Sequence, residues 1–127
     1  MNENPVTPGN FHRWFGPYGK SLPGWMYTLN RLCGLGLVLY LILHLTALFQ
    51  LSQGAAGYNG FLALVHHPIF KAGEVLVIAA CLLHGLNGLR IVLTSLGIGL
   101  SQHRAFAWII LAISVILTAI FAIQIFK

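Results

Sequence analysis

Long uncharged apolar runs constrain this chain more than any other feature of its sequence. No charged residue occurs between Leu32 and Leu51, and 20 residues at about 1.5 Å each cross a hydrocarbon core of about 30 Å. Similar runs follow in the middle and at the end of the chain. Backbone groups in a bilayer must satisfy one another, which favours helices. The sequence therefore predicts an all-α integral membrane protein with three transmembrane helices, at about residues 25–51, 72–96 and 105–126.

The connections between these runs carry turn-forming residues. Three glycines in residues 52–60 predict a loop after the first helix. The apolar piece Phe61–Val65 is too short to span a membrane. Gly97 and Gly99, followed by Ser101 and Gln102, predict the end of the second helix.

The composition excludes several classes of protein. Only 7% of the residues are charged and 57% are hydrophobic, whereas a soluble domain has about 25% charged residues. A chain this small cannot bury so much apolar surface in water. A water-soluble enzyme, a disordered tail and a disulfide-stapled domain are therefore excluded. The net charge of +5 comes from basic residues strung out singly, so we expect a single anchor domain in a lipid bilayer and no nucleic acid.

The flanking charges predict the orientation. Three spans place residues 1–24 and the connection between the second and third helices on one side. That side has five basic residues and the other has two, namely Arg13, Lys20, Arg31, Arg90 and Arg104 against Lys71 and Lys127. By the positive-inside rule the first side is cytoplasmic, or faces the matrix in a mitochondrion. Of these, we expect the inner (cytoplasmic) membrane of a prokaryote, with the N-terminal segment in the cytoplasm.

Two histidines lie deep within the apolar helices, His44 in the first and His84 in the second. Polar groups in a bilayer core usually mark function, although each histidine could simply bond a neighbouring helix. Neutral imidazole is a good ligand for haem iron. Gly85 and Gly88 beside His84 leave room for a flat porphyrin, or for close helix packing. We interpret the combination as haem binding, with His84 and His44 as iron ligands and Gly88 facing the haem.

The spacing of the two histidines predicts two haems. If Arg31 and Arg90 mark the inner surface, His44 lies about 20 Å from it and His84 about 9 Å. One haem needs its two axial nitrogens at similar depth, so the offset of about 10 Å assigns His84 to an inner haem and His44 to an outer one. The second ligand of each must come from a partner membrane subunit or a second copy, because the other histidines lie in flanks or loops: His12, His66, His67 and His103.

The two arginines nearest the histidine helices are candidate haem-binding residues. Haem propionates are carboxylates, with which arginine pairs through two parallel hydrogen bonds. Arg90 lies a turn and a half from His84 toward the inner side, and Arg31 opens the first helix. The alternative is that these side chains extend to the lipid headgroups.

Two segments resemble a known family. Residues 84–90, HGLNGLR, fit the His-x3-Gly-x-Arg motif of the cytochrome b membrane-anchor subunit of succinate:quinone oxidoreductase (succinate dehydrogenase, respiratory complex II). Residues 30–34, NRLCG, are similar to its Ser-x2-His-Arg-x-Ser/Thr-Gly signature. The chain departs from these motifs at four positions, namely Tyr27, Asn30, Cys33 and Ile91. His44 resembles the helix 1 ligand of the two-haem branch of this family.

The resemblance implies a function in the tricarboxylic acid cycle and respiratory chain. A flavoprotein subunit would oxidise succinate, and an iron–sulfur subunit would carry electrons to this anchor. The anchor would bind haem b with a partner anchor subunit and pass electrons to ubiquinone or menaquinone; it would not be catalytic alone. A quinone carbonyl needs hydrogen-bond donors. The candidates at the inner membrane edge, unless they are a plain interfacial anchor cluster, are Arg31, Tyr27, Thr28 and Asn30.

Two other functions stay open at this point. The same helices suit the cytochrome b anchor of fumarate reductase or of another quinone-linked dehydrogenase, such as a formate dehydrogenase or hydrogenase. A protein of a different class, a haem-free small membrane transporter or assembly protein, would also have three apolar helices. A visible spectrum separates the last class from the others.

Overall fold

The computed structural model describes residues 22–127, and within that range the chain is helical, with no strand. Its elements are α1 (Leu22–Leu51), α2 (Ala55–Val65), α3 (Pro68–Ser95), a 3-10 turn (Leu100–Gln102) and α4 (His103–Ile125). Three segments are long and apolar enough to cross a membrane: Leu22–Leu51, Pro68–Ser95 and Leu100–Ile125. The prediction of an all-α membrane protein with three spans is confirmed. Residues 1–21 of the predicted N-terminal segment lie outside the described residues, and residues 22–24 begin α1.

The helix α3 is central in the bundle, since it packs against α1 on one side and α4 on the other. Within residues 22–127, most large apolar side chains point away from the bundle, as expected where lipid or another subunit surrounds a helix. The buried set is small and mostly polar: Met26, Ala107, Asn87, Arg90 and Ser114. The interior of the bundle therefore relies on polar contacts more than a soluble core does.

Both ends of α3 follow local capping rules. The helix begins at Pro68, four residues before the predicted start, because proline suits the first helical position and the His67 ring accepts a hydrogen bond from the Ile69 N–H at 3.3 Å. At the other end the Ile98 N–H donates to the Leu93 carbonyl and the Gly97 N–H to the Thr94 carbonyl. Gly97 has φ of 82°, a conformation that glycine favours, so α3 ends in a Schellman motif.

The predicted loop at residues 52–60 is wrong in its second half, because α2 begins at Ala55. Gly54 makes the turn with φ of 83°, whereas Gly57 and Gly60 lie inside the helix. Each glycine costs a helix about 1 kcal/mol relative to alanine. The cost is tolerated here because α2 packs against the ends of α1 and α3. The tertiary contact outweighs the local propensity.

Candidate functional site at the crossing of α1 and α3

The His84 ring lies between α3 and α1. Its Nδ1 is 2.9 Å from the backbone carbonyl oxygen of Asn30 on α1. A carbonyl only accepts, so Nδ1 carries the proton, and Nε2 of the neutral ring then has the lone pair. Within residues 22–127, Nε2 has no hydrogen-bond partner. A histidine held through one ring nitrogen by a carbonyl, with the other nitrogen open, has the arrangement of a metal-binding imidazole.

Gly34 lets this ring approach α1. A Cβ atom added at Gly34 would lie 2.9 Å from Cε1 and 3.2 Å from Nδ1 of His84. These distances are too short for a side chain, and the ring cannot move away without breaking its bond to Asn30. Residue 34 must therefore be glycine for the His84 ring to keep this position.

We expect Gly34→Ala to destabilise the protein, because the added methyl group displaces the His84 ring. Overpacking of this kind costs about 1–3 kcal/mol. Thermal unfolding of the purified protein measures the loss. Gly36→Ala is the matched control, since nothing lies within 4 Å of its Cβ position among the described residues and alanine is the better helix former. Equal stability of the two variants would contradict the packing role of Gly34.

A second polar contact joins the same two helices one turn away. Asn87 is 1% exposed, and its Nδ2 donates to the Met26 carbonyl oxygen at 3.0 Å. Its Oδ1 accepts from Nε of Arg90 at 2.9 Å. Arg90 in turn donates from one terminal nitrogen to the carbonyl of His103 at 3.3 Å, where α4 begins. One asparagine thus links α1, α3 and α4.

The Arg90 side chain is held inside the bundle. It is 8% exposed, and two of its five N–H donors bond Asn87 and His103. Burial of a guanidinium is costly unless its donors are satisfied, so these bonds account for its position. The propionate role of Arg90 stays a prediction, for which the remaining donors are available in the described part of the chain.

The contacts between α1 and α3 correct the depth estimate. Because Asn87 bonds Met26 and His84 bonds Asn30, Arg90 is level with the first turn of α1. Arg31 lies about 10 Å deeper, so the assumption that the two arginines mark one surface is wrong.

The two histidines lie further apart in depth than predicted. The His84 ring is level with Gly34, and His44 lies ten residues further along α1, or about 15 Å. The offset is larger than the predicted 10 Å and has the same direction.

His44 has different surroundings from His84. It is exposed on α1 and stacks on Tyr40, with ring centroids 5.5 Å apart and planes at 28°. Thr46, the other polar residue nearby, donates its hydroxyl to the Ile42 carbonyl of its own helix at 2.9 Å. Within residues 22–127 no other helix covers the His44 ring. An imidazole at this depth needs a polar partner or a ligand from outside the described chain.

The four residues predicted to bind quinone do not converge on one point. Tyr27 and Arg31 share an exposed face of α1, where the guanidinium carbon lies 5.8 Å from the ring centroid. Thr28 donates to the Gly24 carbonyl of its own helix at 3.3 Å. Asn30 lies on the side toward α3, and its buried Oδ1 has no hydrogen-bond partner in the described part of the chain. The structure therefore brings two of the four together.

The glycines after His84 border open space. Nothing in residues 22–127 lies within 4 Å of a Cβ position on Gly85 or Gly88, so neither glycine serves close packing between the described helices. A groove of about 320 Å³ also lies between α1 and α3, and Ala80 in its wall is one turn before His84. Its lining is almost entirely apolar: Leu32, Cys33, Gly36, Leu37, Leu76, Val77 and Ala80. Open space beside Gly85 and Gly88 and an apolar groove one turn before His84 therefore both lie along α3.

Sequence reasoning missed two buried polar residues. Asn87 lies three residues after His84 and so shares its helix face, which was the available signal. Ser114 on α4 is 2% exposed, and its hydroxyl has no partner within residues 22–127. A lone serine in an apolar run gave no comparable signal.

These features define a class of protein: a helical membrane anchor with three spans, whose polar residues meet at the crossing of two antiparallel helices. The chain belongs to the family described as succinate dehydrogenase/fumarate reductase transmembrane subunit, which residues 6–121 match.

Two curated relatives agree with this family. The chain is similar to the succinate dehydrogenase hydrophobic membrane anchor subunit of Halobacterium salinarum, with 35% identity over 72% of this chain and 73% of the relative. It is also similar to the succinate dehydrogenase 2 membrane subunit SdhC of Mycobacterium tuberculosis, with 31% identity over 87% of this chain and 82% of the relative. No solved structure matches.

Proposed function

We propose that this chain is the haem b-binding anchor subunit of a succinate dehydrogenase and passes electrons from an iron–sulfur subunit to ubiquinone or menaquinone. The observation that carries the proposal is the His84 imidazole, held at Nδ1 by the Asn30 carbonyl with Nε2 open. The names of the two relatives support the complex to which the anchor belongs.

The residues around His84 fit a haem. Its open Nε2 is a suitable iron ligand, and the Asn30 carbonyl fixes the tautomer and ring orientation that such a ligand needs. Gly85 and Gly88 leave space beside it, and the neighbouring groove is apolar. When bound, haem supplies one-electron redox chemistry, while the protein binds and orients it. A second iron ligand would come from a second anchor subunit.

His44 would bind a second haem nearer the other surface. Its exposed ring faces away from the described helices, and its offset of about 15 Å from His84 excludes a shared iron. The partner anchor subunit would then supply one ligand at each of the two depths.

Arg31 and Arg90 would bind the propionate carboxylates of haem. Arg90 is fixed by Asn87 and His103, which leaves N–H donors for a propionate. Arg31 lies level with His84 on α1 and is exposed, so it can reach a group outside the bundle. A fixed guanidinium orients a carboxylate better than a mobile one, because less side-chain freedom is lost on binding.

Quinone would bind on the face of α1 that carries Tyr27 and Arg31. Their side chains lie together, and a phenol and a guanidinium both donate hydrogen bonds to a carbonyl oxygen. The Asn30 amide, with its buried unpartnered oxygen, lies on the adjacent side. Thr28 would contribute to the wall of the site.

The remaining partners follow from the proposed complex. A flavoprotein subunit would act on succinate, and the iron–sulfur subunit would dock on the α3–α4 end of the bundle. By the positive-inside rule that end, with residues 1–24, would face the cytoplasm of a prokaryote. Arg90 and Arg104 lie at that end, whereas Lys71 and Lys127 lie at the other.

A visible spectrum of the purified complex, together with the identity of the co-purifying subunits, tests the proposed function. We expect the sharp reduced bands of b-type haem, and flavoprotein and iron–sulfur subunits in the preparation. A preparation without haem bands and without these subunits would favour the transporter or assembly protein. Faster fumarate reduction than succinate oxidation would instead favour the fumarate reductase alternative.

We expect Arg31→Ala to lower quinone reduction and sensitivity to quinone-site inhibitors, because it removes a donor from the exposed face of α1. Loss of a hydrogen bond to a charged donor costs about 1.5–3 kcal/mol, or about 10- to 150-fold in the rate at limiting quinone. Steady-state assays with a soluble quinone analogue measure the change. Lys127→Ala is the control, since it removes an exposed basic residue from the opposite end of the bundle. Unchanged kinetics for Arg31→Ala would contradict a role of Arg31 in quinone binding.

A further inference from the structure

We propose that Asn87 is a positioning residue for His84, an inference that rests on the proposed haem function. Asn87 does not itself approach the open Nε2 of the imidazole. It acts through the register of α3 on α1, which decides where the His84 ring lies.

Two side-chain contacts fix that register. His84 bonds the Asn30 carbonyl at 2.9 Å, and Asn87 bonds the Met26 carbonyl at 3.0 Å. The donors are three residues apart on α3 and the acceptors four apart on α1, so both contacts lie on facing sides, one turn apart. A single contact lets a helix slide or rotate about it, whereas two contacts one turn apart oppose both movements.

The side-chain oxygen of Asn87 holds the Arg90 guanidinium. This Oδ1 accepts from Nε of Arg90, which also reaches the start of α4. Without this acceptor a buried charged donor would lose a partner, and the guanidinium would have to find another. The guanidinium would then be held only at the His103 carbonyl. Asn87 therefore fixes both the position of the His84 ring and the orientation of the Arg90 guanidinium.

The close packing of His84 makes this register sensitive. The ring occupies the space that a side chain at residue 34 would take, and a shift of α3 along α1 stretches the bond to Asn30. Outer-shell groups that orient metal-binding histidines commonly change metal affinity 10- to 100-fold. Asn87 is one step further from the iron ligand than such a group. We therefore expect its replacement to change haem affinity by about tenfold, the lower end of this range.

The test compares Asn87→Leu with Thr94→Val in the assembled complex. Leucine keeps the branched shape and the number of side-chain heavy atoms but loses both bonds. Thr94 is the matched control, because its hydroxyl bonds only the Arg90 and Ile91 carbonyls of its own helix. The largest g value in the electron paramagnetic resonance spectrum of oxidised haem reports the orientation of the ligand rings. We expect it to shift in Asn87→Leu, with about tenfold faster haem loss, and to stay unchanged in Thr94→Val.

Hydrogen exchange of α3 in haem-depleted membranes gives a second measurement that does not need the cofactor. We expect faster exchange of residues 82–90 in Asn87→Leu than in the wild type and Thr94→Val. If Asn87→Leu fails to assemble, Asn87→Ser replaces it, because a serine hydroxyl on α3 is too short to reach Met26. An unchanged g value with unchanged exchange overturns the inference. A wild-type complex without haem overturns the proposed function instead, and exchange alone then decides whether Asn87 fixes the register.

Discussion

Replacing His84 with leucine should remove one b-type haem signal from the purified complex. Leucine fills similar space but has no lone pair for iron, so the ligand is lost while the apolar packing is largely kept. The lost bond to the Asn30 carbonyl costs about 1 kcal/mol, which a folded bundle tolerates, because that carbonyl still serves its own helix. Redox titration of the visible bands, alongside subunit composition, measures the result.

A matched histidine is available as the control for this variant. The His103 ring also bonds a backbone carbonyl, that of Leu100 at 2.8 Å, but it lies at the start of α4 outside the α1–α3 crossing. His103→Leu keeps the backbone carbonyl that Arg90 bonds, so it should leave every haem component in place. Full haem content in a correctly assembled His84→Leu complex would refute the assignment of His84 as a ligand.

Replacing His44 with leucine should remove a second haem component and spare the one that depends on His84. The reason is the depth offset of about 15 Å between the two rings, which one iron cannot bridge. The expected effect of the His44 variant is as large as that of the His84 variant, because each variant loses one whole haem. The midpoint potentials of the wild type should resolve two components, and each variant should retain a different one.

Thr46→Val is the control for the His44 variant. Thr46 lies half a turn further along α1 and bonds only the Ile42 carbonyl of its own helix, so its loss should not affect either haem. A wild-type complex with one haem, lost on replacement of His84 and retained on replacement of His44, would return the protein to the one-haem branch. His44 would then need another polar partner from a neighbouring subunit.

Hydropathy and length predicted the three spans. An apolar chain in a bilayer must satisfy its own backbone hydrogen bonds, which favours helices, and the thickness of the hydrocarbon core sets their length. The helix ends were less predictable. Residues 55–60 contain two glycines and an asparagine, which locally favour a loop, yet the contact of α2 with α1 and α3 makes them helical. The first turn of α3 was missed since the cap that starts it, His67 with Pro68, was not weighed.

The candidate site was predictable in its residue types and not in its geometry. An imidazole in an apolar run is conspicuous, so His44 and His84 were found from the sequence. The role of Asn87 was not found, because its significance depends on which residue of α1 faces it. The depth estimate went wrong for the same reason, since it assumed a common level for Arg31 and Arg90.

The sequence by itself determined that this protein is a helical membrane anchor with two histidines at different depths, because these properties follow from composition, helix rise and the cost of polar groups in lipid. Only the tertiary structure decided that His84 bonds the Asn30 carbonyl against Gly34, and that Asn87 and Arg90 join three helices. Helix rotation and register are set by side-chain contacts between helices. No local pattern encodes them.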